Sequence, residues 1–361
     1  MLILFLYHFL TLISGKEFLT SATIRNNKLY TIFQENESYS VRSKVYELKD
    51  GPIIDIGKSV KTYQLDNNFV GFDIELLDVL DDSQDSQNRL WMRAEFNDNP
   101  DEQGIPSYKN WVGYLNLSDM SLKTDSSFIN FPTHENFPVD KFTVNTIKNE
   151  FGLALYITGG HIQAKDKDEF SFSNSFYKYN FTTKEWVDMT YLANGKLKPL
   201  ILHKSLVIYN RYIVILGGNT KKSKDELERL NGNETEYKFN SFYNLTVFDT
   251  FTNKWENVSI KPNVFDTSVA TLQFDLFIAV VYNNKIIVIG RYIREGMNFH
   301  VDVTPTIGIL DYNSKTWNWS PVYHEDGSKY NSSIYADIIL VYNDQLIMPA
   351  GILKYIYIYY Y

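Results

Sequence analysis

Three seven-residue segments limit what this chain can fold into more than any other feature. Asn180-Phe-Thr-Thr-Lys-Glu-Trp186, Asp249-Thr-Phe-Thr-Asn-Lys-Trp255 and Asp311-Tyr-Asn-Ser-Lys-Thr-Trp317 align without gaps. Each opens on Asn or Asp, carries Ser or Thr three positions on, and closes on Trp. The Asx and hydroxyl side chains can each bond nearby backbone N–H groups, which is the chemistry of a tight turn. An apolar strand precedes each turn, at 175–179, 245–248 and 307–310. The Trp after it is placed to cover the edge of a sheet.

Upstream of each turn a second apolar run ends in glycine. Residues 153–158 lead to Gly159–Gly160, and 212–216 to Gly217–Gly218. Residues 286–289 lead to Gly290, followed by Arg291; 346–348 lead through Pro349–Ala350 to Gly351. Glycine there permits positive φ and close approach of backbones. A further strand precedes each glycine run, turning through Asn210–Arg211, Asn283–Asn284 or Asn343–Asp344, residues that tolerate the left-handed conformation of tight hairpins. Four short antiparallel strands recurring at about 60 residues predict propeller blades.

The unit resembles a kelch repeat: apolar strand, double glycine, apolar strand ending in an aromatic and Asp, a six-residue step, then Trp. Gly159, Gly160, Tyr179, Asn180 and Trp186 carry the resemblance in one unit; Gly217, Gly218, Phe248, Asp249 and Trp255 carry it in the next. Gly290, Leu310, Asp311 and Trp317 carry it in a third, with Arg291 in place of the second glycine. The resemblance implies an all-β propeller, in the superfamily of the galactose oxidase central domain but on a non-enzymatic branch. The earlier chain is more degenerate. Residues 18–24 and 29–33 form a hairpin around Arg25-Asn-Asn-Lys28, but Gln34–Glu35 replace the glycines, and 45–48 would be the third strand. In the second unit, 90–96 and 111–117 read as strands, with Leu122 where Trp would stand. The expected organisation is one domain, 16–361, of about six four-stranded blades: 16–66, 67–138, 139–198, 199–262, 263–325 and an incomplete 326–361.

Residues 1–13 are an apolar run too short to span a bilayer, followed by Ser14–Gly15 and then Lys16–Glu17, the order of a signal peptide ending near residue 15. Secretion would make eight Asn-x-Ser/Thr sequons relevant, at Asn36, Asn116, Asn180, Asn233, Asn244, Asn257, Asn318 and Asn331. The expected location is the secretory pathway, extracellular or cell surface. The tail, 352–361, has strand propensity and carries no anchor signal.

Chemical constellations are sparse in the linear sequence. With 35 basic against 43 acidic residues and no basic cluster, nucleic-acid binding is excluded as an expectation. Zero Cys removes disulfides, thiolate nucleophiles and iron–sulfur sites, and with them the Tyr–Cys cross-link that a galactose-oxidase-like copper radical requires. The six histidines (His8, His134, His161, His203, His300, His324) are scattered singly. Asn97–Gly104 matches only half a calcium loop, and 78–85 reads as a solvated acidic turn. Residues 221–230 read as a short helix in the insertion after Gly218. No cofactor, metal site or catalytic set is expected. The leading expectation is therefore a non-enzymatic interaction scaffold, a secreted or cell-surface glycoprotein meeting a protein or cell-surface glycan through its loop face. The alternative is a glycan-binding or glycan-processing propeller, in which two carboxylates would converge at one rim.

Overall fold

The computed structural model describes residues 2–6, 17–35, 40–49, 59–66, 69, 71–79, 86–97, 108–134, 136–163, 170–229, 236–261, 273–293, 306–323, 327–328 and 338–349. Five antiparallel four-stranded meanders follow one another along the chain and make a β-propeller. Blade 1 is Glu17–Arg25, Lys28–Glu35, Val41–Glu47 and Lys61–Asp66. Blade 2 is Phe72–Leu77, Arg89–Asn97, Tyr108–Asn116 and Ser121–Thr124. Blade 3 is Thr143–Asn149, Gly152–Thr158, Phe176–Asn180 and Glu185–Asp188. Blade 4 is Ile201–Ile208, Tyr212–Lys221, Asn244–Asp249 and Lys254–Ser259, with Tyr237–Phe239 added to its second strand. Blade 5 is Gln273–Tyr282, Lys285–Ile293, Thr306–Asp311 and Thr316–Pro321.

The expectation of about six four-stranded blades is corrected to five. In the remaining sector the described residues form a three-stranded sheet. Leu340–Tyr342 pairs antiparallel with Gln345–Pro349, and Leu2–Leu6 runs parallel to the latter. The segment read as part of a signal peptide thus supplies a strand here. Residues 7–16 and 350–361, and with them the tail, lie outside the described residues, as does most of the acidic stretch 97–104. Among the described residues no helix is long and apolar enough to cross a membrane. Among the described residues the expected 221–230 helix spans Lys224–Arg229, where Ser223 and Glu226 cap each other's backbone N–H groups.

The turn chemistry read from the sequence has direct physical counterparts. Asn26–Asn27, Asn283–Asn284 and Asn343–Asp344 all have positive φ, between 45° and 60°, as a tight hairpin with the right-handed strand twist demands. In blade 4 the left-handed pair is Tyr209–Asn210 instead of the expected Asn210–Arg211. Ile208 pairs with Tyr212 there, so the loop has one more residue than the others.

The double glycines solve two steric problems at once. Gly159 and Gly160 have φ of 65° and 99°, Gly217 and Gly218 of 57° and 79°. A Cβ on the first glycine would meet the innermost strand of the next blade: 2.6 Å from His203 Cε1 for Gly159, 2.6 Å from Phe277 Cε1 for Gly217. A Cβ on the second would meet the blade's own innermost strand or the residues leading into it: 2.7 Å from Asp140 O for Gly160, 2.7 Å from His203 Cβ for Gly218. Gly290 differs from this expectation. Its φ is not positive, and the strand continues through it to Ile293.

The three tryptophans occupy equivalent places. Trp186 faces Tyr179, Trp255 faces Phe248 and Trp317 faces Leu310, each one position before the Asx of its turn. Leu122 faces Leu115 in the same way. The Asx side-chain oxygen accepts the backbone N–H two residues on in every case: Asn116 from Ser118, Asn180 from Thr182, Asp249 from Phe251, Asp311 from Asn313. Asp249 is further held by Arg211 at 2.6 Å and 2.7 Å, which keeps its carboxyl low, at about 2. The indoles do more than cover their own sheets. Trp255 packs edge-on to Phe176 of blade 3, and Trp317 Nε1 donates to Phe242 O of blade 4 at 2.8 Å.

Core clusters lie between sheets. Separate apolar groups join blades 1 and 2, 2 and 3, 3 and 4, and 4 and 5. Blade 5 meets the three-stranded sheet through Ile289, Leu346 and Met348, and that sheet meets blade 1 through Ile347, Leu29 and Tyr46. Apolar packing therefore runs round the whole ring, leaving the innermost strands to face a central space.

Candidate active site

A cavity of about 740 Å³ follows that central space, lined from the innermost strands of all five blades and by Ile338. The start of a first strand and the end of a second strand meet at one end of each antiparallel blade. Residues at these ends therefore share one mouth of the channel. At this mouth three successive blades carry a non-glycine residue in the left-handed region: Asp73 (φ 48°), Lys141 (φ 54°) and Leu202 (φ 55°). All three line the cavity. Such a conformation is unfavourable for a side-chain-bearing residue and persists where the surroundings impose it. Leu202 is left 55% exposed at the opening.

The chemistry gathers between blades 2 and 3. Arg93, buried in the second strand of blade 2, donates from Nε to Glu75 Oε2 at 2.7 Å, and from Nη1 to Asn110 Oδ1 at 3.2 Å and Glu95 Oε1 at 3.4 Å. Its guanidinium lies 4.1 Å over the Phe142 ring of blade 3. Lys141 pairs with Asp73 at 3.3 Å across the same seam. Burial works against the Lys141 charge, yet Asp73, with Glu95 and Asp140 further off, raises its pKa overall.

Glu95 is the unusual member. Only 2% of it is exposed, and its Oε2 has no hydrogen-bond partner among the described residues. Burial pushes its carboxyl up to about 7; Arg93 pulls it back, and the charges of Asp73 and Asp140 add to the rise. Arg93 reaches Glu95 only at 3.4 Å because its shorter bond is spent on Glu75. The arrangement holds a carboxyl that keeps its proton close to neutral pH beside the more exposed side chains of Asp73 and Glu75.

Two further polar groups border this cluster. Asp140 Oδ1 lies 2.6 Å from His161 Nδ1, and their backbones are bonded as a bridge directly after the double glycine. Deeper in the wall, His203 Nε2 lies 2.9 Å from Thr143 Oγ1 and 3.1 Å from Thr158 Oγ1. Ser205 bonds Thr143 at 2.6 Å and accepts from Asn145. Burial, with Lys204 adding to it, drops the His203 pKa to about 3, so this imidazole is neutral at any working pH. Among the described residues no group of three His, Asp or Glu side chains is placed to hold a metal ion.

None of Asp73, Glu75, Arg93, Glu95, Asp140 or Lys141 was singled out from the sequence as chemistry-bearing. A signal did exist. Counting six residues on from the residue that faces the Asx (Arg89, Ala154, Tyr212) reaches Glu95, Gly160 and Gly218. Glu95 thus stands where blades 3 and 4 carry their second glycine. The sequence residues that do carry the repeat, the glycines, Asx residues and tryptophans, are brought to equivalent structural places and not to the cavity mouth as functional groups. His161, one of the scattered histidines, opens the short strand His161–Gln163 and is half-buried against Asp140.

No protein-family model matches this chain, and no curated protein matches its sequence. Solved structures do. The chain is similar to the structure of YjhT, at 12% identity over 92% of this chain and 90% of that one, with a TM-score of 0.50. It also aligns with an α-L-arabinofuranosidase from Lactobacillus brevis, at 8% identity over 87% and 93%, TM-score 0.38. A third is an exo-1,5-α-L-arabinanase from a bovine ruminal metagenomic library, at 10% identity over 81% and 93%, TM-score 0.36. Similarity at this level shows the propeller fold. The described residues assemble a buried carboxyl, further carboxylates and two cations at one channel mouth. The expectation of a non-enzymatic scaffold is corrected on that cluster. It rested on linear spacing, which cannot register side chains that converge from separate blades.

Proposed function

We propose that this protein processes glycans at the mouth of its central channel, with Glu95 as the proton donor. The observation that carries the reading is a buried carboxyl, raised by burial to about 7, with one oxygen unpartnered and the carboxyl groups of Asp73 and Glu75 in the same cavity lining. Breaking a glycosidic bond calls for a proton on the leaving oxygen and a negative charge near the developing cation. Glu95 supplies the first and Asp73 or Glu75 the second. Phe18 and Phe277 in the cavity lining give apolar faces against which sugar rings can lie. The test is a panel of arabino-, xylo- and galacto-oligosaccharides followed by titration calorimetry and reducing-end release. Saturable binding with release from at least one of them is expected; a protein that binds none of the panel loses this reading.

We further propose that the repeat is kelch-type and that the chain is a secretory glycoprotein. Of the sequons in described residues, Asn116 and Asn180 end third strands at the turn into the fourth, and Asn244, Asn257 and Asn318 lie on third or fourth strands. All five therefore sit on the outer part of the blades, away from the channel, where Asn244, Asn257 and Asn318 are exposed. Asn36, Asn233 and Asn331 lie outside the described residues. Expression in a secreting eukaryotic host should give a chain whose mass falls on endoglycosidase treatment, by more than one glycan; an unchanged mass would end the glycoprotein proposal.

A further inference from the structure

We propose that His161, oriented by Asp140, is the second proton-transfer group of this site and works as the base opposite Glu95. The inference rests on the glycan-processing reading and adds a residue and a role to it. Its ground is geometric. The imidazole is held by three contacts: Nδ1 lies against Asp140 Oδ1 at 2.6 Å, and its ring centroid is 5.7 Å from Phe170 and 5.4 Å from Phe172. Its backbone N–H donates to Asp140 O at 2.9 Å, and its carbonyl accepts from Val139 N at 2.8 Å. A carboxylate on Nδ1 fixes the tautomer with Nδ1–H donating and leaves the Nε2 lone pair as the free basic position. No hydrogen bond to Nε2 occurs among the described residues.

Continuity with Glu95 comes from a three-residue stretch of blade 3. Asp140 orients His161, Lys141 pairs with Asp73, and Phe142 lies under Arg93, the partner of Glu95. Asp140 is also close enough to act on the Glu95 charge. The double glycine that precedes His161 is what lets Asp140 and His161 meet, since a Cβ on Gly160 would strike Asp140 O at 2.7 Å.

The step balances with water as co-reactant. The glycosidic C–O bond breaks, its electron pair goes to the leaving oxygen, and that oxygen takes the Glu95 proton. The water oxygen forms the new C–O bond and its proton passes to His161 Nε2. Solvent then returns a proton to Glu95 and removes one from His161. Asp140 touches no reacting atom and is a positioning residue.

Two measurements on the full chain test this without needing turnover. Long-range nitrogen–proton correlation should show His161 as the Nδ1–H tautomer, and Asp140→Asn should change that tautomer population. Site-resolved carbethoxylation by diethyl pyrocarbonate should modify His161 at Nε2, spare the buried His203, slow several-fold in Asp140→Asn, and be blocked by an oligosaccharide that binds in calorimetry. A His161 whose tautomer and reactivity ignore both Asp140→Asn and bound saccharide overturns the proposal even if glycans bind. A panel with no binder, beside an intact Asp140 effect, overturns the glycan reading and leaves the dyad's chemistry standing.

Discussion

Glu95→Gln should abolish glycan processing while making the protein more stable at alkaline pH. The amide reproduces the shape of the protonated acid but has no proton to give. Loss of a general acid typically lowers the rate by about 10²–10⁴-fold. Saccharide affinity should change little, because Arg93 keeps its 2.7 Å bond to Glu75 and is not left unpaired. In the native protein, activity should fall as pH rises through about 7, where Glu95 gives up its proton. The stability effect runs in the same window. The folded carboxyl is raised from its ordinary 4.5 to about 7, so the native state holds a proton that the unfolded chain has released. Below 4.5 both states are protonated and nothing is lost. Between 4.5 and 7 the native state is progressively penalised, and above 7 the penalty is complete, at most about 3 kcal/mol. Glu95→Gln removes that dependence, so its urea midpoint should exceed that of the parent at pH 8 and match it at pH 4.5. Equal midpoints at pH 8, or a variant that still releases reducing ends at the parental rate, would remove Glu95 from the role given to it.

The same residue shows where a repeat is legible in sequence and where it is not. The blade frame is local chemistry. Asx side chains close turns on their own i+2 amides, paired glycines take the positive φ and close approach that no other residue accepts, and Asn pairs set the hairpins. Such rules act within a dozen residues, so they leave a periodic trace. The site has no such trace, because Asp73, Glu95, Asp140 and His161 come from four separate stretches of chain at blades 2 and 3. What the sequence does record is departure from the repeat. At the second-glycine position blade 1 has Gln34, blade 2 has Glu95 and blade 5 has Arg291, where blades 3 and 4 keep glycine. Read as degeneracy, these substitutions weakened the apparent motif. In the fold the first two place polar side chains there: Gln34 is buried with its amide donating to Gly71 O, and Glu95 is the buried carboxyl of the channel mouth. Departures from a local rule gather where function outweighs regularity. The short first blades and the Leu122 substitution escaped a motif search for a different reason, since only the pairing register reveals that Leu122 faces Leu115 as Trp186 faces Tyr179.

Trp317→Ala should be the most damaging single substitution at a repeat position, lowering stability by about 3–5 kcal/mol. The side chain is fully buried, with ring centroids 4.9 Å from Trp319 and 5.8 Å from Phe242. Its truncation opens a cavity in the cluster that joins blades 4 and 5. It also strips Phe242 O of the indole N–H at 2.8 Å, leaving a buried acceptor unsatisfied. Trp186 provides the internal comparison. It occupies the same register and likewise donates to a backbone carbonyl, Asn130 O at 2.6 Å, but it is only half-buried. Its replacement by Ala removes less area from the core and should lower stability by roughly half as much. Trp317→Phe separates the two contributions: the apolar fill is largely kept and the N–H is lost, so about 1–3 kcal/mol should remain. Urea unfolding reads all three as shifts in midpoint at constant slope, since each acts on one interface of an intact ring. Equal losses for Trp186→Ala and Trp317→Ala would mean that burial between blades does not set the value of the lid. A change in slope for Trp317→Ala would mean that blades 4 and 5 unfold apart from the others, which the continuous packing between neighbouring sheets argues against.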